Sequence, residues 1–128
     1  MFHLVLPCWW CAAVYMAPEI FDRDYHWEAD MWSLGIMLYQ LYARRFPYWR
    51  TYEECRHAKL DEVAVLVAES PLPMDYGPWN TMSVEGIDFM RGCLQRDYTQ
   101  RMTVSQVHCR SLFSSQRMCC GAFQLGHC

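Results

Sequence analysis

The segment from Trp27 to Ala43 constrains the fold of this chain more than any other. Its apolar residues cover every side of a helical wheel, with Asp30, Ser33 and Gln40 among its few polar residues. A helix that is apolar all round must be buried on all sides. Pro47 cannot continue a helix and ends this one soon after Ala43. The segment therefore predicts a central helix surrounded by other elements.

Capping residues predict further helices along the chain. Thr51 and Glu54 have the spacing of a capping box, and the helix that follows should reach residue 60 or continue towards residue 68. Ser83 is a suitable N-cap for a helix whose apolar residues recur at helical spacing. Thr103 and Gln106 form a second capping box, which opens a short helix towards residue 109.

The remaining segments organise these helices into one domain. Residues 70–80 contain three Pro residues and one Gly, which is typical of a loop. No segment shows the alternation of a strand, so we predict an all-α fold with helices packed around one central buried helix. We expect residues 1–11 to lie outside the domain, residues 12–110 to form it, and residues 111–128 to be a disordered tail.

Composition excludes several kinds of partner. The net charge is −3, so the chain has no basic surface for nucleic acid. The apolar start lacks the basic residues of a signal peptide and, read as far as Ala17, is too short to span a membrane. Eight Cys residues without an export signal suggest reduced thiols in the cytoplasm. We therefore expect a protein partner or substrate, and the composition leaves the oligomeric state open.

The Cys residues raise the alternative of a metal site. Cys8 and Cys11 have the spacing of a zinc half-site. The remote residues that could complete it are His108, Cys109, Cys119, Cys120, His127 and Cys128. Their spacings match no common zinc module, so we favour scattered thiols and predict no metal ligands.

Several motifs occur in a fixed order along residues 12–110, and together they identify a family. They are Tyr15-Met16-Ala17-Pro18-Glu19, Asp30-Met31-Trp32-Ser33-Leu34-Gly35, Phe46-Pro47-Tyr48-Trp49, Trp79 followed by Ser83 and Ile87-Asp88-Phe89-Met90, and Asp97-x-x-x-Arg101-x-Thr103. This order resembles the C-terminal lobe of a serine/threonine protein kinase, from its Ala-Pro-Glu element onward. It is most similar to the calcium/calmodulin-dependent and plant-type calcium-dependent group.

The resemblance assigns structural roles to several residues. It implies that Glu19 of Ala17-Pro18-Glu19 pairs with Arg101, although both could instead be solvated surface charges. It implies that Asp30 accepts backbone N–H groups of the catalytic loop; the alternative is a carboxylate near solvent that favours the start of its helix. Trp32 and Gly35 would be packing residues.

The resemblance also places a substrate loop around Tyr15, whose position favours a Ser/Thr substrate. The family usually has Thr where this chain has Ala12, which removes a hydroxyl from the active site of any complete enzyme. Kinases that select Arg in the substrate often have Glu where this chain has Gln40. A neutral amide pairs weakly with Arg, so a basic substrate is not implied.

The residues that handle ATP in kinases do not occur in this sequence. It lacks a Gly-x-Gly-x-x-Gly loop, a His-Arg-Asp loop and an Asp-Phe-Gly motif, and its one Lys is Lys59. We therefore expect no catalytic residues, no cofactor in this chain where full-length relatives use Mg-ATP, and no intrinsic kinase activity. We expect a truncated or fragmentary kinase product; the alternative is a non-catalytic kinase-like module that binds another protein.

Overall fold

The computed structural model describes residues 12–113, with side chains up to residue 108. This part of the chain contains helices and turns but no strand, which confirms the predicted all-α fold. The helices are α1 (Pro18–Phe21), α2 (Ala29–Ala43), α3 (Tyr52–His57), α4 (Leu60–Glu69), a 3₁₀ helix (Gly77–Thr81), α5 (Val84–Cys93) and α6 (Val104–Phe113).

The long helix α2 is the centre of the fold. Trp32, Ile36 and Tyr39 of this helix are fully buried, at 0% exposure each. α2 packs against α5 and the 3₁₀ helix, while α1 packs against α4. The central helix α2 ends at Arg44. This residue has a left-handed conformation with φ of 57°, which turns the chain away from the helix axis. The prediction of a central helix is therefore confirmed.

The prediction that α2 is buried on every side is wrong. Its start lies at Ala29, and Trp27 before it is 88% exposed. On the outer face of the helix, Met37 is 44% and Leu41 is 69% exposed. Composition alone cannot show which sides of an apolar helix have neighbours, and nothing within residues 12–113 covers this one.

Gly35 allows α2 and α5 to approach closely. A Cβ atom at this position would lie 2.7 Å from Leu94 Cδ2 and 3.0 Å from Cys93 Cβ, closer than real Cβ atoms pack. The absence of a side chain therefore brings the backbone of α2 against the end of α5. This close contact positions the end of α5 relative to the centre of the fold.

The predicted caps are present, with one difference. Thr51 Oγ1 accepts a hydrogen bond from the Glu54 N–H at 3.3 Å, but the Glu54 carboxylate accepts from the N–H of Arg50 rather than of Thr51. Thr103 and Gln106 form the complete reciprocal capping box, with bonds of 2.9 and 3.3 Å. These caps begin α3 and α6 at the predicted places.

The region predicted as one helix after Thr51 contains two. α3 ends at His57, and α4 begins after Lys59, whose N–H donates to Glu62 Oε2 at 3.1 Å. The predicted loop 70–80 holds most of the 3₁₀ helix. α6 continues to Phe113, three residues past the predicted domain end, and the rest of the predicted tail lies outside the described residues.

Candidate functional site

The Ala-Pro-Glu element forms the start of α1. Ala17 is fully buried, and Pro18 occupies the first turn, where its missing N–H costs no hydrogen bond. Glu19 follows in the same turn and is 6% exposed. A helix of four residues is not stable by itself, because nucleation costs more than so few bonds return. Its position must therefore come from contacts with other elements.

Arg101 supplies the main contact to α1 from the other end of the domain. Its Nη1 lies 2.5 Å from Glu19 Oε1 and its Nη2 lies 2.9 Å from Glu19 Oε2. The side chain of Arg101 is 0% exposed. This is a bidentate pair in which a planar guanidinium meets a carboxylate, the strongest form of such a contact. The alternative of two solvated surface charges is therefore wrong.

The remaining donors of Arg101 bond to backbone carbonyls. Nη1 also donates to Glu28 O at 2.9 Å, and Nε donates to Gln95 O at 2.8 Å. Nη2 also donates to Arg96 O at 3.3 Å. All five N–H groups of the guanidinium thus have acceptors, so the buried charge is fully hydrogen-bonded. One side chain joins α1, the start of α2 and the end of α5.

The turn before α6 places Arg101. Asp97 Oδ1 accepts from the N–H and the hydroxyl of Thr99 at 2.9 and 2.6 Å. These two bonds from Thr99 lower the pKa of the Asp97 carboxyl below its usual value. The Arg101 N–H donates to Tyr98 O at 3.2 Å, and Thr103 then caps α6. The spacing Asp97-x-x-x-Arg101-x-Thr103 therefore encodes a turn, an ion pair and a helix start.

Trp32 and Gly35 lie beside this pair on α2. The Trp32 ring centre is 5.3 Å from the Arg101 guanidinium carbon, at the distance of a cation–π contact. Trp32 Nε1 is buried without a hydrogen-bond partner among the described residues. Both residues act in packing: Trp32 lies against the guanidinium, and Gly35 lets α5 approach.

Asp30 lies in the first turn of α2 and is exposed. A carboxylate at the N-terminus of a helix interacts favourably with the helix dipole. The exposure of Asp30 agrees with the interpretation that it is a carboxylate near solvent. Residues 12–113 contain no catalytic loop, so the other interpretation, that Asp30 accepts N–H groups of such a loop, is not tested.

Tyr15 is held by two contacts with α2 and by one with the turn that follows it. Its hydroxyl donates to Gln40 Oε1 at 2.5 Å, and its carbonyl accepts from Ser33 Oγ at 2.8 Å. Its ring packs edge-on against Phe46 at 5.6 Å between ring centres. Ala12 lies exposed at the first described position. The side-chain oxygen of Gln40 therefore accepts a hydrogen bond from Tyr15. The sequence did not predict the contact between Ser33 and Tyr15.

A second polar cluster holds the loop 70–80 and was not predicted. Tyr39 donates its hydroxyl to Pro73 O at 2.6 Å and lies 3.1 Å from the Tyr76 hydroxyl. Arg45 Nε donates to the Tyr76 hydroxyl at 2.7 Å and lies over its ring. Burial raises the pKa of Tyr39 well above its usual range. A Tyr in an apolar helix is normally interpreted as a core residue. The only feature of the sequence that could indicate a contact of Tyr39 with the loop 70–80 is its polar hydroxyl group.

The predictions about a metal site and a membrane span concern residues that the structure describes only in part. Between residues 12 and 113, no group of three or more His, Cys, Asp or Glu side chains could hold a metal ion. Most of the thiols proposed as alternative ligands, including Cys8 and Cys11, lie outside that part, so the metal prediction stays untested. No described helix has the length and apolar character needed to cross a bilayer.

Comparison with known families identifies the domain. The sequence model of the Protein kinase domain matches residues 9–113, which is most of the chain. The chain therefore belongs to the protein kinase domain family. The match begins three residues before the domain start predicted from the sequence and ends with α6.

Curated relatives define the branch of the family. The chain is 40% identical over 98 residues to calcium/calmodulin-dependent serine/threonine-protein kinase 1 of Oryza sativa subsp. japonica, which covers 77% of the chain and 15% of that protein. It is 38% identical over 98 residues to CDPK-related kinase 1 of Arabidopsis thaliana, covering 77% and 16%. It is 37% identical over 95 residues to calcium-dependent protein kinase 25 of Arabidopsis thaliana, covering 74% and 17%. The chain thus spans less than a fifth of the length of these relatives, and it resembles serine/threonine kinases.

Proposed function

We propose that this chain is the substrate-side scaffold of a serine/threonine protein kinase and that these 128 residues alone do not transfer phosphate. The scaffold would order the end of an activation segment and present a loop that receives a Ser or Thr of a protein substrate. A complete enzyme containing it would use Mg-ATP, as the resemblance implies.

The bidentate contact of Glu19 with Arg101 carries this proposal. It joins two residues 82 positions apart and holds α1 onto the last helices of the domain. The loop that precedes α1 is held in turn, because Tyr15 bonds to Gln40 and Ser33 of the central helix. A surface for a protein substrate must be rigid to position a hydroxyl, and these contacts supply that rigidity.

The lack of catalysis rests on chemistry that the chain cannot supply alone. Phosphoryl transfer needs groups that bind the phosphates, hold magnesium and orient the nucleophile. The described residues hold no cluster of carboxylates for a metal ion, and the sequence contains none of the motifs that bind ATP in kinases. Ala12 also has no hydroxyl to offer to an active site.

The first experiment measures phosphotransfer by the purified chain with radiolabelled ATP and a mixture of Ser/Thr protein substrates. We expect no incorporation above a buffer control. Incorporation that follows the chain through purification would overturn the proposal that it is inactive alone.

A chimera tests the scaffold itself. The kinase-domain residues that precede the matched region in the rice relative are joined to residues 12–113 of this chain. We expect measurable kinase activity, an increase when Ala12→Thr is introduced, and loss of activity with Glu19→Gln. A folded chimera that binds ATP and stays inactive with Thr at position 12 would contradict the scaffold role.

That last outcome would favour the second candidate, a non-catalytic module that binds another protein. The exposed outer face of α2 favours this alternative, because Met37 and Leu41 are apolar and uncovered within the described residues.

A further inference from the structure

Helix α4 presents an outward face whose apolar residues are exposed within the described part of the chain. Val65 in the middle of the helix is 56% exposed, and Leu60 at its start is 44% exposed. Asp61 and Glu62 are exposed in the first turn, and Glu69 is exposed at the last position. A shallow depression lies on this face, lined by Asp61, Glu62, Val65 and Leu66.

The opposite face of α4 is fixed in the core. Val63 is 2% and Val67 is 0% exposed, and α4 packs against α1. At the C-terminal end, Arg96 donates to Val67 O at 2.8 Å and also to Ser70 O, so the last carbonyls have a cationic partner. The helix is therefore a rigid platform, and its outer apolar residues are not needed to hold it.

Charge and spacing define what this face can receive. Asp61, Val65 and Glu69 follow one another at four-residue intervals, so they lie along one side of the helix over about 12 Å. The row reads acidic, apolar, acidic. α4 contains no Lys or Arg, and Lys59 just before it is the nearest cation in the sequence. The apolar centre is thus bordered by negative charge at both ends.

We propose that this face of α4 docks a basic amphipathic helix of another protein. The partner helix carries an apolar residue with a Lys or Arg four positions before it and another four positions after it. The apolar residue enters the depression beside Val65 and Leu66, and the two cations meet the carboxylates of Asp61 and Glu69. This inference goes beyond the scaffold role and does not depend on it.

Charge argues against a second copy of this chain as the occupant. Pairing two α4 helices face to face would bring Asp61 and Glu69 of one copy against the same carboxylates of the other, and like charges at an interface are unfavourable. A basic helix reverses the sign of that interaction. Complementary charge also steers encounter and makes binding sensitive to salt.

The test uses the ¹⁵N-labelled 128-residue chain and two synthetic Ala-based peptides. One peptide carries Leu with Lys four positions before and after it, and the other carries Glu in place of both Lys. We expect the Lys peptide to give saturable chemical-shift changes confined to residues 60–69 and their neighbours. Affinity should fall at least about tenfold with the Glu peptide, and similarly when salt is raised from about 0.05 to about 0.3 M.

A pair of matched variants separates this face from net charge. Asp61→Lys with Glu69→Lys reverses two exposed carboxylates on α4, and Glu85→Lys with Asp88→Lys makes the same change on α5. We expect the α4 variant to lose binding by about tenfold or more and the α5 variant to bind within about twofold of the parent chain. Circular dichroism checks that both are folded; if the α4 variant is not, Val65→Ser replaces it.

Several outcomes would overturn the inference. They are no saturable shifts with the Lys peptide, shifts centred on the outer face of α2, equal loss in both charge variants, and unchanged binding by Val65→Ser. Dilution-dependent shifts of residues 60–69 without peptide would identify a second copy as the occupant and would equally count against a basic partner.

Discussion

Replacing Glu19 by Gln removes the negative charge from the buried pair with Arg101 while keeping the size of the side chain. In the folded protein, Arg101 keeps its bonds to three backbone carbonyls but loses the negative charge that both Nη atoms face. The amide of Gln also turns one donor towards a guanidinium that has only donors. An unpaired buried charge costs about 3–5 kcal/mol. That is at least about a fifth of the stability of a typical small domain, which is about 5–15 kcal/mol, and all of it for the least stable domains.

The chain provides a matched control for the same chemical change. Glu53 pairs with Arg56 at 3.4 Å, and the side chains of the pair are 69% and 49% exposed. Exposed pairs of this kind contribute about 0–1 kcal/mol. Glu53→Gln should therefore lower the free energy of unfolding by less than about 1 kcal/mol. Both variants differ from the parent by one carboxylate, so the difference between them measures burial.

The assay is urea unfolding followed by Trp fluorescence and far-ultraviolet circular dichroism. Glu19→Gln should move the midpoint far below that of the parent or leave the protein unfolded without urea, while Glu53→Gln should nearly overlap the parent. A combined Glu19→Leu and Arg101→Met variant should also be unstable, because the carbonyls of Glu28, Gln95 and Arg96 then lose their donor. Equal midpoints for Glu19→Gln and Glu53→Gln would refute the reasoning.

Three further changes test other parts of the fold. Gly35→Ala places a methyl group 2.7 Å from Leu94 Cδ2; it should cost about 1–3 kcal/mol in urea unfolding, and no loss would mean that α5 shifts freely. Ser83→Ala removes the acceptor of the Gly86 N–H, a bond of 3.1 Å, and should cost about 1 kcal/mol, whereas an unchanged midpoint would show that water replaces the cap. Burial raises the pKa of Tyr48 to about 12 from an ordinary value of 10.0. The folded state therefore holds this proton more tightly than the unfolded state, and stability should fall as pH rises between those two values, by at most about 2–3 kcal/mol. Tyr48→Phe should weaken that dependence in unfolding curves measured across the range, and an identical slope would contradict it.

Local signals in the sequence predicted the helix starts well. A cap depends on residues within one turn of each other, so Thr51, Ser83 and Thr103 could be identified from spacing alone. The contact of Glu19 with Arg101 spans the whole domain, and spacing alone could not have revealed it. Only the resemblance to kinases connected the two residues, and the structure then supplied the reason, which is that every guanidinium donor has an acceptor.

Burial on the outer face of α2 and the break after α3 could not be predicted in the same way. An apolar residue such as Leu41 contributes equally to a helical wheel whether or not another element covers it, so its exposure depends on tertiary neighbours. The break at Ala58 and Lys59 has no Pro or Gly to mark it. Ala58 and Lys59 have extended backbones there, and the Lys59 N–H bonds to Glu62 of the next helix instead of continuing α3.

The contacts of Arg101 link the start of the domain to its last helices. α1 is too short to be helical alone, and its one buried charge pairs with Arg101, whose position depends on the Asp97 turn and on α5. The loop 22–28 between α1 and α2 is held by the same turn, since His26 stacks on Tyr98 at 3.9 Å between ring centres. The position of α1 therefore depends on the packing of the last helices, whereas Tyr15 before it is held by α2 and by Phe46. Loosening of α5 or α6 would therefore be transmitted through Arg101 to α1 and to the loop 22–28, although no residue of those two helices belongs to either segment.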